Sequence, residues 1–592
     1  MNKKVESKKG KSQNFLHGAL ILTVGMAIVK VVGALFKVPL QEVIGNYGMG
    51  LFNVAYHFYG PIHSLSAAGL PIAVSRMVSE CYAQERYLDI KNLKKTALPL
   101  FLVLGAGGTL FMFAFAPYYC THIIKNAHAL FPMIALAPAI LFGCMGSIYR
   151  GFFEGMKNMY PTAVSEVIEA VTKLGIGIVF SYFVIYKLNA EYRAVGTILG
   201  VIVPSENEAM MLVISYASAA AIVGVTLGAL FSSLYLIIRY KMQGNIVSSE
   251  QLRKSQPSIS RRATVKILLK TAVPITIGAL AVNIAGLIDM TFLQNRIAKL
   301  VEESPQSILI QYANKIPNVY IENIGTVPNF LFGCYSLALS IYMLVPTITH
   351  SLSISALPNI TAIWAENNKV KLKQGIESVI RITVLLSLPA GIGITAIAPH
   401  IVSFLFSNEP ASGIISDLLR GLGIAAIAAA VSAPVSSMLQ AVGRADLPVK
   451  MLVMAMGIKV SFTFILCGIP TINVYGAVIG TLGCYIFLAA AEIILLCRVT
   501  GIRPDIVSTF LKPFVAAVLC GLGAYASSKA TALIVGGNNR IESLVIVAVS
   551  MCAGALIYIF SLGTMKAISE NDILMLPSGE KIAKILEKHD WI

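Results

Sequence analysis

The chain has 592 residues, 56% of them hydrophobic and only 13% charged, which is more apolar surface than a water-soluble core can bury. The formal charge of +17 does not point to nucleic acid, because the cations sit in short loops between apolar runs and not in a folded basic domain. Nine scattered cysteines without a CxxC pair indicate neither a disulfide framework nor a metal site, and Walker A, GxSxG and HExxH patterns are absent. Lipid offers the backbone no hydrogen-bond partner, so spanning segments must be helices or a closed barrel. These runs lack the period-2 alternation of barrel strands. The expected fold is an all-α polytopic membrane protein.

Taken in order, residues 1–14 form a basic N-terminus, followed by an apolar run from 15 to 38 that is too long for a signal-peptide core. Runs of about 20 residues, enough for a hydrocarbon layer of about 30 Å, predict spans at 15–38, 50–78, 97–119, 129–150, 161–186 and 209–238. Further spans are predicted at 270–293, 326–358, 380–403, 414–440, 449–470, 474–497, 510–533 and 542–563, which makes fourteen. Lys and Arg concentrate at the start of the chain and in the even-numbered loops, as with Arg86, Lys91, Lys94 and Lys95, so both termini are expected to be cytoplasmic.

The polar, Ser-rich stretch 239–269 reads as a cytoplasmic linker between two six-span lobes, 15–238 and 270–497. Spans 13 and 14 (498–563) and a cytoplasmic tail (564–592) follow. The lobes echo each other. RGFFEGMKNMYPTAVSEVIEAVTK, from Arg150 to Lys173, has a weaker counterpart in QAVGRADLPVKMLVMAMGIK, from Gln440 to Lys459. Each places a cation, Lys157 or Arg444, four residues before a proline, and each has a lysine, Lys173 or Lys459, about three turns into the next helix. Both lobes start from the cytoplasm, so the repeats are expected to be parallel, related by an axis along the membrane normal, with a cavity between them. The loop 294–325 and the tail, with Ile582, Ile585 and Leu586 among charges, read as solvated caps.

Ionisable groups inside spans cost about 2.5–3.5 kcal/mol each on insertion scales, so they tend to face a wet cavity and mark function. Lys30 and Lys37 are two turns apart on one face of span 1 and can hold a diphosphate as point charges, although Lys37 can also snorkel to the outer headgroups. Span 2 offers His57 and His63 around Gly60-Pro61, which should kink the helix; a histidine there is a substrate contact or a packing residue. Glu166, Glu169 and Lys173 share a stripe of span 5, with Glu169 and Lys173 at ion-pair spacing. With Arg150, Lys157, Arg444 and Lys459 they are candidates for an inner gate or hinge. In the second lobe the intramembrane candidates are Asp289, His350, Arg420, Lys459 and Glu492. Asp289 can bind a coupling cation such as Na+ or H+, or can simply pair with a lysine.

The segment RGFFEGMKNMYPTAVSEVIEA resembles a signature of the stage V sporulation protein B group of bacterial polysaccharide-biosynthesis membrane proteins. GALILTVGMAIVKVVGALFKVPLQEVIGNYGMGLFNVAY and GLPIAVSRMVSE are similar to that group's N-terminal blocks. The group is similar to the MurJ lipid II flippases of the multidrug/oligosaccharidyl-lipid/polysaccharide exporter superfamily. The resemblance implies fourteen helices in two lobes around a central cavity that opens alternately to either side. It also implies a diphosphate site at Lys30, Lys37 and His63, where the family carries arginines or another cation, and a lipid-tail groove at spans 13 and 14. The family's eighth-helix cavity arginine has no counterpart near Leu339 to Tyr342.

The expected function is a non-enzymatic flippase in the bacterial cytoplasmic membrane. It would carry an undecaprenyl-diphosphate-linked sugar such as lipid II, for vegetative wall or spore cortex, to the outer leaflet. No cofactor is expected beyond a coupling cation or the membrane potential. The partners expected are the lipid-linked oligosaccharide, the membrane and cell-wall synthesis enzymes, with no nucleic acid. An ion-coupled multidrug exporter, a glycosyltransferase and a non-transporting scaffold for cell-wall enzymes are the alternatives.

Overall fold

The computed structural model describes residues 15–156, 158–242, 253, 255, 258–366, 368–406, 410–537 and 539–567. The side chains of 15–28, 30, 31, 34, 35, 83, 351, 354, 355, 357–359, 362 and 365 are outside the description. The N-terminus, the tail with its amphipathic pattern, Lys157 and the side chain of Lys30 therefore lie outside the described residues. In chain order the first helices are α1 (Phe15–His63), α2 (Leu70–Ala83), α3 (Tyr87–Tyr118), α4 (Leu130–Leu136), α5 (Pro138–Gly155), α6 (Tyr160–Val195) and α7 (Glu206–Met242). Then come α8 (Arg261–Glu303), α9 (Pro305–Gln311), α10 (Asn318–Glu322), α11 (Val327–Tyr342), α12 (Leu344–Ala365) and α13 (Lys369–Phe406). The last are α14 (Ser412–Ala441), α15 (Asp446–Leu466), α16 (Tyr475–Thr500), α17 (Lys512–Val535) and α18 (Arg540–Thr564). Among the described residues twelve helical stretches are long and apolar enough to cross a membrane, and they coincide one for one with expected spans 3 to 14. The chain is a multi-pass membrane protein of all-α class.

Four boundaries differ from the sequence reading. Spans 1 and 2 were expected to be separated by a loop at 39–49, but α1 runs through it, interrupted only at Gly45 (φ 66°, ψ −177°), a conformation that glycine alone adopts without steric cost. Gly60-Pro61 lies inside the helical run, and the turn after it, Ser64–Ala68, widens to π geometry; Pro61 cannot donate to the carbonyl four residues before it. The stretch 294–325 is not a plain solvated loop, since α8 continues to Glu303 and is followed by α9 and α10. The linker is shortened at both ends by α7 and α8. Between α6 and α7 two short strands, β1 (Thr197–Ile198) and β2 (Val201–Ile202), pair antiparallel.

Two compact units divide the chain at Leu287/Ile288, inside α8. In the first unit Val74, Val78, Phe101, Ile148, Phe152 and Leu268 form a buried core. The linker end is pinned there: Ile259 N–H donates to Asp89 Oδ1 (2.9 Å), and Leu88 N–H to Ser255 Oγ (3.0 Å). Glycines let α6 and α7 approach until backbone meets backbone. A Cβ at Gly224 would lie 2.5 Å from Gly177 Cα, and one at Gly228 would lie 2.8 Å from the Glu169 carbonyl oxygen. In lipid, where apolar side chains gain nothing over solvent, such close approach is the main source of helix adhesion. The second unit has its own core, including Ile376, Val435, Leu439, Leu496, Ala517 and Leu562.

Candidate functional site

In the first unit α1, α5, α6 and α7 gather the expected charges. Arg150 on α5 forms an ion pair with Glu169 on α6 (Nη2–Oε2 3.1 Å), and the same nitrogen donates to Ser232 Oγ on α7 (3.0 Å). The pair is half-open to solvent, with side-chain exposures of 25% and 40%. Glu169 thus closes on Arg150 and not on Lys173, as the i, i+4 spacing had predicted. Lys173 Nζ instead lies over three rings of α1: Phe36 at 4.9 Å, Tyr56 at 5.0 Å and Phe52 at 5.6 Å. Ring faces carry negative potential, so they attract an ammonium.

The rings continue as a ladder. Phe36 meets Phe52 at 5.9 Å, Phe52 meets Tyr56 at 5.0 Å, Tyr56 meets Tyr59 at 6.3 Å, and Tyr59 stacks on His63 at 5.0 Å. Phe36 precedes the break at Gly45 and the others follow it, so only a chain that turns there can place all of them beside one lysine. Lys37 directly follows Phe36, whose ring Lys173 faces. Glu169 and Arg150 act electrostatically on His63, and Glu166 lies in the field of both. The structure therefore brings together Lys37, His63, Arg150, Glu166, Glu169 and Lys173.

The second unit treats its charges differently. Asp289 on α8 pairs with Lys459 on α15 (Oδ2–Nζ 2.9 Å), and its other oxygen accepts from Thr463 Oγ1 (2.5 Å). Side-chain exposures are 17% for Lys459 and 7% for Asp289. Both carboxylate oxygens are engaged, so the pair satisfies itself. α16 seals it from one side: a Cβ at Gly480 would stand 3.1 Å from both the Lys459 carbonyl oxygen and Thr463 Oγ1. The remaining candidates are scattered. Arg444 and Lys450 both bind Asp446 (3.2 and 3.0 Å). Arg420 pairs with Asp417 (3.3 Å), which Lys315 also reaches (3.2 Å). His350 is exposed, and His57 is half-buried beside Gly286. Glu492 is 1% exposed; Oε1 accepts from Ser436 Oγ (2.6 Å), while Oε2 has no hydrogen-bond partner.

Sequence reasoning missed Phe36, Phe52, Tyr56 and Tyr59 because it sought only ionisable groups. Their signal was present: Phe52, Tyr56, Tyr59 and His63 recur at helical spacing on one face. Thr463, one turn beyond Lys459, was legible in the same way. Among the described residues no cluster of His, Cys, Asp and Glu is arranged to hold a metal.

Comparison with known proteins agrees with this architecture. The chain is 23% identical over 578 residues to stage V sporulation protein B of Bacillus subtilis (strain 168), covering 95% of this chain and 98% of that one. It is also 23% identical over 408 residues to the lipid II flippase MurJ of the same organism, 67% of each chain. Among solved structures it shares the fold of lipid II flippase MurJ in an inward closed conformation (TM-score 0.59, 14% identity, 92% of this chain and 98% of that one). It shares it too with an inward-facing multidrug-resistance MATE transporter of the MOP superfamily (TM-score 0.58, 17% identity, 83% and 99%). A model of the lipid II flippase MurJ family matches residues 332–541. With the polysaccharide biosynthesis protein model matching residues 15–364, the chain belongs to the polysaccharide biosynthesis protein family.

Proposed function

We propose that this protein flips an undecaprenyl-diphosphate-linked sugar, a lipid II-type peptidoglycan precursor, from the inner to the outer leaflet of the bacterial cytoplasmic membrane. It does so by alternating access and breaks no covalent bond. The observation that carries the reading is the aromatic cluster of the first unit, where the Lys173 ammonium lies over the Phe36, Phe52 and Tyr56 rings. An ammonium held by ring faces keeps its charge for an anion, and a diphosphate supplies one. Lys30, two turns before Lys37 on the same helix, and His63 at the ladder's end complete the anion site. The rings offer faces on which a sugar can lie.

In the first unit Arg150, Lys157, Glu166, Glu169 and Lys173 are assigned to an inner gate or hinge, and in the second unit Arg444 at the echoing turn takes the corresponding role. α17 and α18 accompany the lipid tail. The Asp289–Lys459 pair is the resetting element of the second unit. The membrane potential, or a cation such as Na+ or H+ competing for Asp289, drives the return, and one charge moved is worth about 2.3 kcal/mol per 100 mV. Its relatives include a lipid II flippase and a stage V sporulation protein, which supports a lipid II-type substrate and wall or spore cortex synthesis as the setting.

The test is replacement of a cell's only lipid II flippase by this chain. Growth is expected to be restored by the native sequence and not by the Lys30→Ala/Lys37→Ala variant, with equal membrane insertion of both. Failure of the inserted native chain to support growth overturns the substrate, and wild-type flipping by the double variant overturns the anion site.

A further inference from the structure

We propose that the second unit carries a fixed binding site for an anionic glycerophospholipid, its phosphate held by Arg498 and Arg503 and one acyl chain lying in the apolar groove beside them. The groove, about 470 Å³, is walled by α13, α14, α16 and α17 through residues such as Leu388, Ile427, Val431, Ile486 and Phe514. A second cavity of about 510 Å³ contains Arg498, Gly501, Arg503 and Pro504. Ile493, Ile506 and Phe510 line both, so the two adjoin across these three side chains. A hydrocarbon slot that opens onto two guanidinium groups has the polarity profile of a phospholipid.

The arginines are available for this. α16 ends at Gly501 in the left-handed conformation (φ 69°), with its N–H on the Cys497 carbonyl (2.9 Å), and that turn sets Arg498 and Arg503 on either side of it. Both are exposed, and among the described residues neither has an acidic partner. The nearby carboxylates are used elsewhere. Asp505 accepts from the N–H groups of Val507 and Ser508 (3.1 and 3.4 Å). Glu377 accepts from the Asp505 N–H (2.9 Å) and faces Lys373 at 3.8 Å. The site is built wholly from one compact unit, and no residue of α18 lines it, so it is assigned to a resident lipid apart from the α17–α18 face given to the transported tail. Guanidinium forks suit phosphate oxygens, and a phosphate at the end of a span keeps its remaining oxygens in water.

The experiment is native mass spectrometry of the full chain in detergent micelles with phosphatidylglycerol, with phosphatidylcholine of the same acyl chains, with glycerol phosphate and with undecaprenyl phosphate. Phosphatidylglycerol should be retained in preference to phosphatidylcholine, and the Arg498→Gln/Arg503→Gln variant should bind it about tenfold more weakly. Ala428→Phe, which fills the groove without touching the arginines, should lose it as well, so the site is testable even where the arginine variant does not fold. Equal retention of the two phospholipids, or unchanged binding in both variants, overturns the proposal. Binding of glycerol phosphate as tight as that of the lipid removes the groove from the site. Displacement by undecaprenyl phosphate as effective as by phosphatidylglycerol itself makes the groove a substrate site and overturns it too.

Discussion

The two units bury opposite charges at comparable depth in sequence and put them to opposite uses. In the first, Arg150 and Glu169 keep 25% and 40% of their side chains exposed, and Lys173 is held by rings and not by a carboxylate. In the second, Lys459 and Asp289 are closed to 17% and 7%, and Thr463 takes the remaining carboxylate oxygen. The two lysines are the echo residues of the sequence, yet one lies over ring faces and the other is paired with a carboxylate. The difference lies in what surrounds each: aromatic faces attract a cation without cancelling its charge for a third partner, whereas a carboxylate cancels it. Both arrangements rely on a glycine of the following helix, Gly228 against the Glu169 carbonyl and Gly480 against that of Lys459.

The contrast is broken most severely by Lys459→Met, which strands Asp289 in a dry site and should cost about 3–5 kcal/mol. Unfolding in detergent measures it, and adding Asp289→Asn should recover most of the loss. A single Lys459→Met variant as stable as the native chain would mean that water reaches the pair. Lys173→Met should cost less, about 1–2 kcal/mol, while reducing flipping out of proportion to that loss. Lys173→Arg, which keeps charge and ring contact, should restore transport, and this rescue separates an anion-binding role from simple packing. Smallest is Glu169→Gln, worth at most about 1 kcal/mol because the pair is solvated, with an effect that shrinks as salt rises. A large, salt-independent loss there would show the first unit's pair to be as sealed as the second's.

By itself the sequence determined the class, the positions of spans 3 to 14 and the helix start at Pro161, because hydrophobic run length and proline chemistry are local properties. It also marked Lys37, His63, Glu169, Lys173, Asp289 and Lys459, because an ionisable group within an apolar run stands out without knowledge of its neighbours. Which of these meet was decided only by the tertiary structure. Asp289 and Lys459 are 170 residues apart, and Arg150 had two nearby glutamates to choose from on α6. The single left-handed residue Gly45 folds α1 so that Phe36 joins Phe52 and Tyr56 under Lys173. Pairing depends on helix rotation and crossing, which small residues such as Gly228 and Gly480 set through backbone contact, and no local periodicity encodes them.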